Sequence, residues 1–473
     1  MVATYRCVDS SALEILEKIV GSGNLSTRAE EILCYSQDAT LYKSRPDVVV
    51  RPSTTEEISS ILKLANRERI PVTPRGGGTS TSGGPLPVKG GVLLDLCSMN
   101  KILQIDLDNL TVITEPGVVC DRLNDELAKH GFFFPPDPAS SPACTIGGMV
   151  AQNAAGNRAM KYGTTRDHVL WLEVVLPSGE VINTGSKTLK SVSGFDLTRL
   201  LVGSEGSLGV ITKIGLKLTP LPERYATAFF LYDSVAALAK AAARIRGARI
   251  VPNMLEFMAT NTAASSFEYV GMKDLPEGNF LLVDCDGAKE AAEKDLDRCV
   301  SLCREEEPTH FERAESMSYR DKLISARKAA LPALARIRPT TCMEDCTVQF
   351  SKLPEAASRI EQIPDRLGVE GVELGNFGHV GDGNMHPTFL FDERVEEQRA
   401  AFFKGLDMLY REIVLPLGGS ITGEHGIGLI RAPYIELEHG REAVKLMRDI
   451  KRLFDPNLIL NPGKGKGGPW PLE

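Results

Sequence analysis

The sequence predicts an α+β protein of at least two domains, a glycine-rich half followed by a half built from β-α-β units. Three observations carry this. At 473 residues the chain is too long for one ordinary hydrophobic core. Its composition shifts after Thr219-Pro-Leu-Pro222, where long glycine loops give way to apolar strands alternating with helices. Apolar content of 42% and charged content of 25% are those of a folded globular chain.

The first element is a helix. Thr54 and Glu57 make a capping-box pattern, and Ile58, Ile61, Leu62 and Ala65 share one apolar face behind it. A short strand at Ile70 and Val72 leads into PRGGGTSTSGG, from Pro74 to Gly84. Five glycines in eleven positions let the backbone turn sharply and its N–H groups converge on an anion. The loop is not a Walker A, because no Gly-Lys-Ser/Thr ends it, and its glycine spacing is wrong for a dinucleotide fingerprint. Taken alone it reads equally as a surface loop. Two more backbone-rich stretches follow. Pro135 to Pro142 leads into Thr145-Ile-Gly-Gly-Met149, then Asn153-Ala-Ala-Gly-Asn157 and Lys161-Tyr-Gly163. Val202 to Gly209 opens onto a strand in which Val210, Thr212, Ile214, Leu216 and Leu218 oppose Lys213 and Lys217, which predicts one buried face. Three such loops suit a long, flat, phosphate-bearing ligand held by amides and hydroxyls.

In the second half, residues 226–232 read as a strand, followed by a helix capped by Asp233 or Ser234 and ended by Gly247, and residues 254–258 as another strand. A similar unit recurs at residues 280–284, with a helix over 288–303. Two β-α-β units in tandem predict a ferredoxin-like sheet. Residues 375–388, GNFGHVGDGNMHPT, then place His379 and His386 on either side of the turn Gly381-Asp-Gly-Asn384, so a hairpin carries one imidazole near the end of each strand. Such a pair is either structural or metal-binding. Ser420-Ile-Thr-Gly-Glu-His-Gly-Ile-Gly428 adds Glu424 and His425 between glycines, where backbone can approach a ligand closely. Two imidazoles and a carboxylate make an open set for Zn²⁺, Mn²⁺ or Fe²⁺. His425 reads either as a base or as a turn histidine capping a helix that starts near Gly426.

Net charge −8 and pI near 5.6 argue against nucleic acid or an anionic membrane as partner. No apolar run approaches the roughly 18 residues of a membrane span. The opening MVATYRCVDSSALEILEKI lacks the basic start and apolar run of a secretion signal, so the protein is expected in the cytoplasm. The only close cysteine pairs, Cys299 with Cys303 and Cys342 with Cys346, lack the spacing of zinc or iron–sulfur ligands and read as reduced thiols in a helix and a strand.

PRGGGTSTSGG, the GGM and NAAG stretch, VGSEGSLGVIT, GHVGDGNMHP and GEHGIG together resemble the FAD-linked oxidases with a p-cresol-methylhydroxylase-type flavin domain. The similarity is strongest to the branch of glycolate oxidase D-subunits and D-lactate dehydrogenases, which includes D-2-hydroxyglutarate dehydrogenase. It runs from about Pro46 to Lys464. The resemblance implies a two-subdomain FAD-binding domain over residues 1–222 and a ferredoxin-like cap over 223–473, whose C-terminal segment returns to the flavin. It implies FAD contacts from Pro74, Arg75, Gly76, Gly77, Gly78, Thr79, Ser80, Pro138, Thr145, Gly147, Gly148, Asn153, Gly156, Gly163, Val210 and Ile211. Relatives in the wider superfamily that bind flavin covalently often carry a histidine in the first glycine loop. Gly78-Thr79 stands there in this chain, so the FAD is expected to be non-covalent.

By the same resemblance His379, His386 and Glu424 would hold one divalent metal (Zn, Mn or Fe), His425 would take the substrate hydroxyl proton, and Arg327 would hold the substrate carboxylate. Imidazole's reference pKa of about 6.5 suits that proton transfer. The implied activity is FAD- and metal-dependent oxidation of a small D-2-hydroxy acid, D-lactate or glycolate, to the 2-keto acid. Electrons would pass to a quinone or to a protein acceptor such as an electron-transfer flavoprotein or an iron–sulfur subunit, and membrane association would come only through such a partner. Glu344 and Asp345 are expected to repel a second carboxylate and so to disfavour 2-hydroxyglutarate. A metal-dependent hydrolase without redox activity and a flavoprotein that only relays electrons are the competing readings.

Overall fold

The first long helix, Thr55–Glu68, begins where Thr54 Oγ1 accepts the Glu57 N–H at 3.1 Å. The Glu57 carboxylate turns back to the Ser53 N–H (2.6 Å), one residue earlier than a full capping box requires. Ile58, Ile61, Leu62 and Ala65 are all buried, as the 3.6-residue period predicts. The computed structural model describes residues 4–464 and divides the chain into two units.

One unit comprises Met1–Ala154, Thr164–Leu221 and Glu424–Glu473. Its first sheet orders Leu25–Ser26, Val48–Val50, Val92–Asp95 and Val72–Arg75, the last three parallel. Helices Ser10–Val20 and Thr55–Glu68 share a core with Val48 and Val50, and Ile32 packs with Val49 and Leu93 in a second cluster, so Val48–Val50 is apolar on both faces, as a covered parallel strand must be. The second sheet is antiparallel and runs Ile102–Asp106, Thr111–Thr114, Val210–Lys217, Val169–Val175, Val181–Gly185. Its central strand differs from the expected pattern. Ile211 and Gly215 are buried along with Val210, Thr212, Ile214 and Leu216, so only Lys213 and Lys217 reach solvent. A central strand covered on both sides loses the clean alternation of a half-exposed one.

The other unit comprises Ala155–Gly163 and Pro222–Gly423. Arg224–Tyr232, helix Val235–Gly247, Met254–Met258, Asn279–Gly287, helix Lys289–Arg304 and His310–Arg313 build a ferredoxin-like antiparallel sheet. Ser234, not Asp233, caps the first of these helices through Ala237 N–H. Phe229, Phe267 and Phe280 meet in its core, with ring centroids 5.2–5.6 Å apart about Phe280. Truncating a wholly buried ring such as Phe280 costs about 3–5 kcal/mol. The sheet continues past Met254–Met258 through Phe377–His379, Asn384–Met385 and Cys346–Thr347, seven strands in all. A separate three-stranded sheet joins Thr340–Met343, Thr388–Phe391 and Glu373–Gly375. The short segment Ala155–Gly163 is tied into this unit by Asp286, which accepts from Lys161 Nζ and from the Tyr162 hydroxyl (2.6 Å).

Candidate active site

The glycine loop follows directly from the strand Val72–Arg75, at the C-terminal end of a parallel sheet. Pro74 and Arg75 close the strand, and Gly76, Gly77, Gly78, Thr79 and Ser80 form the turn beyond it. The turn lies against the segment that precedes the helix Ile146–Gln152. A Cβ on Gly76 would sit 2.3 Å from Thr145 Oγ1, and one on Gly77 would sit 2.3 Å from the Ala143 carbonyl. Gly78 has φ of +70°. A side chain would displace the Thr145 hydroxyl at Gly76, force backbone apart at Gly77 and strain the positive φ at Gly78. Thr145 caps the helix Ile146–Gln152, which holds Gly147 and Gly148, and Asn153 ends it in the left-handed region at φ +54°. Pro138 lies in the preceding turn, where its carbonyl accepts the Ser141 N–H. Val210 and Ile211 open the central strand. Gly156 and Gly163 fall in the segment belonging to the other unit.

The loop fits a phosphate-bearing cofactor on its donors. Among the described residues, the backbone N–H groups from Gly76 to Thr81 donate to no protein acceptor, and the Thr81 hydroxyl is likewise unpartnered. Consecutive unpaired amides in a glycine turn make an anion cradle. The Arg75 side chain is already engaged. Its guanidinium donates to the Gln37 carbonyl at 2.9 Å, stacks 5.6 Å from the Tyr35 ring centroid and lies against Gly78, where a Cβ would sit 2.2 Å from Nη2.

The histidine hairpin forms as its turn residues predict, with His379 opposite Asn384 and Gly378 opposite Met385. Its two ends part company, however. Phe377–His379 and Asn384–Met385 join the large sheet, while the flanking strands Glu373–Gly375 and Thr388–Phe391 pair in the small one. The imidazoles of His379 and His386 meet edge to face, 5.2 Å between centroids. His379 Nδ1 lies 2.8 Å from both oxygens of Glu256, a fully buried carboxylate on Met254–Met258. A carboxylate accepts, so Nδ1 carries the proton and Nε2 keeps the lone pair a metal needs.

Asp345, also fully buried, holds the strap that leads to Glu424. It accepts the Gly423 N–H at 2.8 Å, the Thr422 hydroxyl at 2.5 Å and Asn384 Nδ2 at 2.7 Å, with His386 Nδ1 3.6 Å away. Glu424 follows Gly423 by one peptide bond. His379 and His386 present ring nitrogens within 4.8 Å of each other, and Asp345 offers an oxygen equally near His386. Two imidazoles and a carboxylate at that spacing are the right chemistry for a borderline divalent ion.

Arg327 is buried near the end of helix Met317–Lys328, stacked 4.9 Å from the Phe377 ring centroid. Its Nη2 lies 2.9 Å from Glu256 Oε2, but out of line for a hydrogen bond. Its Nε and Nη2 donate to no acceptor among the described residues. A buried guanidinium with unused N–H groups is suited to a carboxylate ligand.

Two expectations change. Glu344 and Asp345 do not face a substrate pocket as free charges, since both are fully buried and Glu344 accepts the Tyr410 hydroxyl at 2.8 Å. No helix starts at Gly426. The next helical turn begins at Ala432, so His425 is not a helix cap. Instead Glu205, buried in VGSEGSLG, accepts the N–H groups of Ile427 (2.7 Å) and Gly428 (3.0 Å). Glu205 and Glu256 escape sequence reading because each is a single acid in a glycine-rich or apolar stretch. All ten cysteines are free, with Cys299 and Cys303 in a helix and Cys342 and Cys346 in strands.

Comparison with known proteins bears on this arrangement. A family model described as FAD linked oxidases, C-terminal domain, matches residues 221–465, and one described as FAD binding domain matches residues 46–185. The glycolate oxidase subunit GlcD of Bacillus subtilis (strain 168) is 41% identical over 461 residues, which cover 95% of this chain and 96% of that one. The mitochondrial D-lactate dehydrogenase (cytochrome) of Arabidopsis thaliana is 34% identical over 465 residues, covering 97% and 81% respectively. The crystal structure of p-cresol methylhydroxylase with substrate bound shares the fold at TM-score 0.78, with 19% identity and 96% of each chain covered. The chain therefore belongs to the FAD-linked oxidase family and is an FAD-dependent oxidoreductase that joins an FAD binding domain to the family's C-terminal domain.

Proposed function

We propose that this chain oxidises a small D-2-hydroxy acid, D-lactate or glycolate, to the 2-keto acid, using non-covalent FAD and one divalent metal. The observation that carries the proposal is the second unit's donor set. Two imidazoles meet in a hairpin, and Glu256 lies between one of them and a buried arginine with unused N–H groups. A hydroxy acid offers what that set can grip, a carboxylate for Arg327 and a hydroxyl next to it. Relatives named as a glycolate oxidase subunit and as D-lactate dehydrogenases support the substrate class.

The amides of Gly76 to Thr81, with Thr145, would hold the pyrophosphate of FAD, which supplies a two-electron acceptor when bound. His379, His386 and Glu424 would hold the divalent ion, which supplies a Lewis acid that lowers a hydroxyl pKa. The chain's own groups do the rest. Arg327 orients the substrate carboxylate in a low-dielectric setting, where a guanidinium fork is worth more than in water. His425 takes the hydroxyl proton on a ring nitrogen. Glu256 keeps the His379 ring in one tautomer. Electrons would leave to a quinone, an electron-transfer flavoprotein or an iron–sulfur subunit. No helix among the described residues is long and apolar enough to cross a membrane.

The preference for a small substrate now rests on the relatives, since Glu344 and Asp345 are engaged inside the protein. A hydrolase without redox chemistry gains no support from an FAD binding domain. The test is the absorption spectrum of the purified protein under anaerobic conditions. A yellow protein bleached by D-lactate or glycolate, and not by 2-hydroxyglutarate at equal concentration, is the expected result. Preferential bleaching by 2-hydroxyglutarate would replace the substrate assignment, and no bleaching by any hydroxy acid would leave only an electron relay.

A further inference from the structure

Glu256 belongs to no motif, yet it touches both a candidate metal ligand and the candidate substrate arginine. It sits mid-strand in Met254–Met258, 1% exposed, with both oxygens 2.8 Å from His379 Nδ1 and one of them 2.9 Å from Arg327 Nη2. We propose that Glu256 is a positioning residue that couples the two halves of substrate recognition, so that the charge on Arg327 sets how strongly His379 holds the metal. This inference rests on the metal and arginine assignments made above.

The physical case is a competition for one carboxylate. The more of its charge Glu256 gives to the His379 N–H, the more basic Nε2 becomes and the tighter it binds a cation. Arg327 draws on the same charge from 2.9 Å, in a site with little water to screen it. A substrate carboxylate arriving at Arg327 would partly neutralise it and return the Glu256 charge to the histidine. Metal and hydroxy acid should therefore bind with positive coupling, and by linkage the effect must be reciprocal. Geometry limits the alternatives. The carboxylate cannot swing to solvent, because it is enclosed, and the imidazole it holds is fixed at one end of a paired hairpin strand.

The test uses the FAD-loaded full chain and measures zinc affinity by chelator competition, without turnover. Glu256→Gln should weaken zinc binding about 10–100-fold, the usual cost of losing a carboxylate behind a histidine ligand. Arg327→Met, at a residue outside the proposed ligand set, should tighten zinc binding by several-fold. If the coupling runs through Glu256, the double variant should match Glu256→Gln; a double variant that binds zinc several-fold tighter than Glu256→Gln would show that the arginine acts on the ion directly by its charge, and would overturn the coupling. Opposite signs from two buried substitutions are not what general loss of packing produces. Zinc affinity in Arg327→Met equal to or weaker than in the unaltered protein overturns the coupling, and this arm stands even if Glu256→Gln fails to fold. If the unaltered protein binds no zinc, manganese or iron at all, the metal assignment itself fails, a different and distinguishable outcome.

Discussion

Replacing Asp345 with asparagine tests whether the strap before Glu424 is held as described. Asp345 accepts from three donors, Asn384 Nδ2, Thr422 Oγ1 and Gly423 N, and is fully buried. An asparagine amide placed to keep Thr422 and Gly423 on its oxygen turns its NH₂ toward Asn384 Nδ2. Asn384 cannot flip to accept it without giving up its 2.9 Å bond to the Cys346 carbonyl. The opposite orientation sets the NH₂ against the Gly423 N–H, an obligate donor. At least one hydrogen bond to a charged group is lost, and a buried donor is left facing a donor. At about 1.5–3 kcal/mol for a bond to a charged group, with an added desolvation penalty, the loss should be about 2–4 kcal/mol. Urea denaturation followed by circular dichroism measures it, and metal content per flavin measures the consequence for Glu424. A loss below about 0.5 kcal/mol with full metal content would show that Asp345 does not anchor the strap.

Other perturbations have equally definite outcomes. His425→Asn should keep flavin and metal but slow single-turnover flavin reduction by roughly 10²–10⁴-fold, the worth of a positioned base. A rate within a few-fold of the unaltered protein removes the base assignment. Acid or heat should release FAD intact, because Gly78-Thr79 offers no covalent attachment; colour that stays with the precipitate would contradict this. Burial pushes the Lys464 ammonium, against the Gly83 and Leu86 carbonyls, down to about 7. The unfolded chain, with lysine near its ordinary 10.5, binds that proton more readily, so folding stability should rise with pH between about 7 and 10.5. Stability measured against Lys464→Met at pH 7 and pH 9 checks the sign, and an unchanged difference would refute it.

The sequence signals that succeeded were local. Thr54 with the apolar face of Ile58, Ile61 and Leu62 marks a helix, Ser234 and Gly247 bound another, and Gly381-Asp-Gly-Asn384 makes a turn, because each needs only neighbours in the chain. The pairing of Asp286 with Lys161 and Tyr162, which draws a nine-residue segment of the glycine-rich half into the second unit, spans more than a hundred residues and leaves no local trace. Glu256 reads as an interruption in an apolar strand, and Glu344-Asp345 as charges that would repel a second substrate carboxylate. Only tertiary pairing reveals that His379, Tyr410 and Gly423 claim them. The burial of Ile211 and Gly215 on the central strand's other face likewise left no signal, since alternation vanishes when neither face meets water.

The central claim is that hydroxy-acid oxidation at the flavin depends on the ion held by His379, His386 and Glu424. The direct measurement is anaerobic stopped-flow bleaching of the flavin by D-lactate or glycolate, comparing the metal-loaded protein with the same protein after chelation and with His386→Ala. Bleaching should fall by at least about 100-fold in both metal-depleted samples while the flavin stays bound, and readded zinc or manganese should restore it only in the chelated one. Bleaching at an undiminished rate in protein shown to be metal-free would contradict the account.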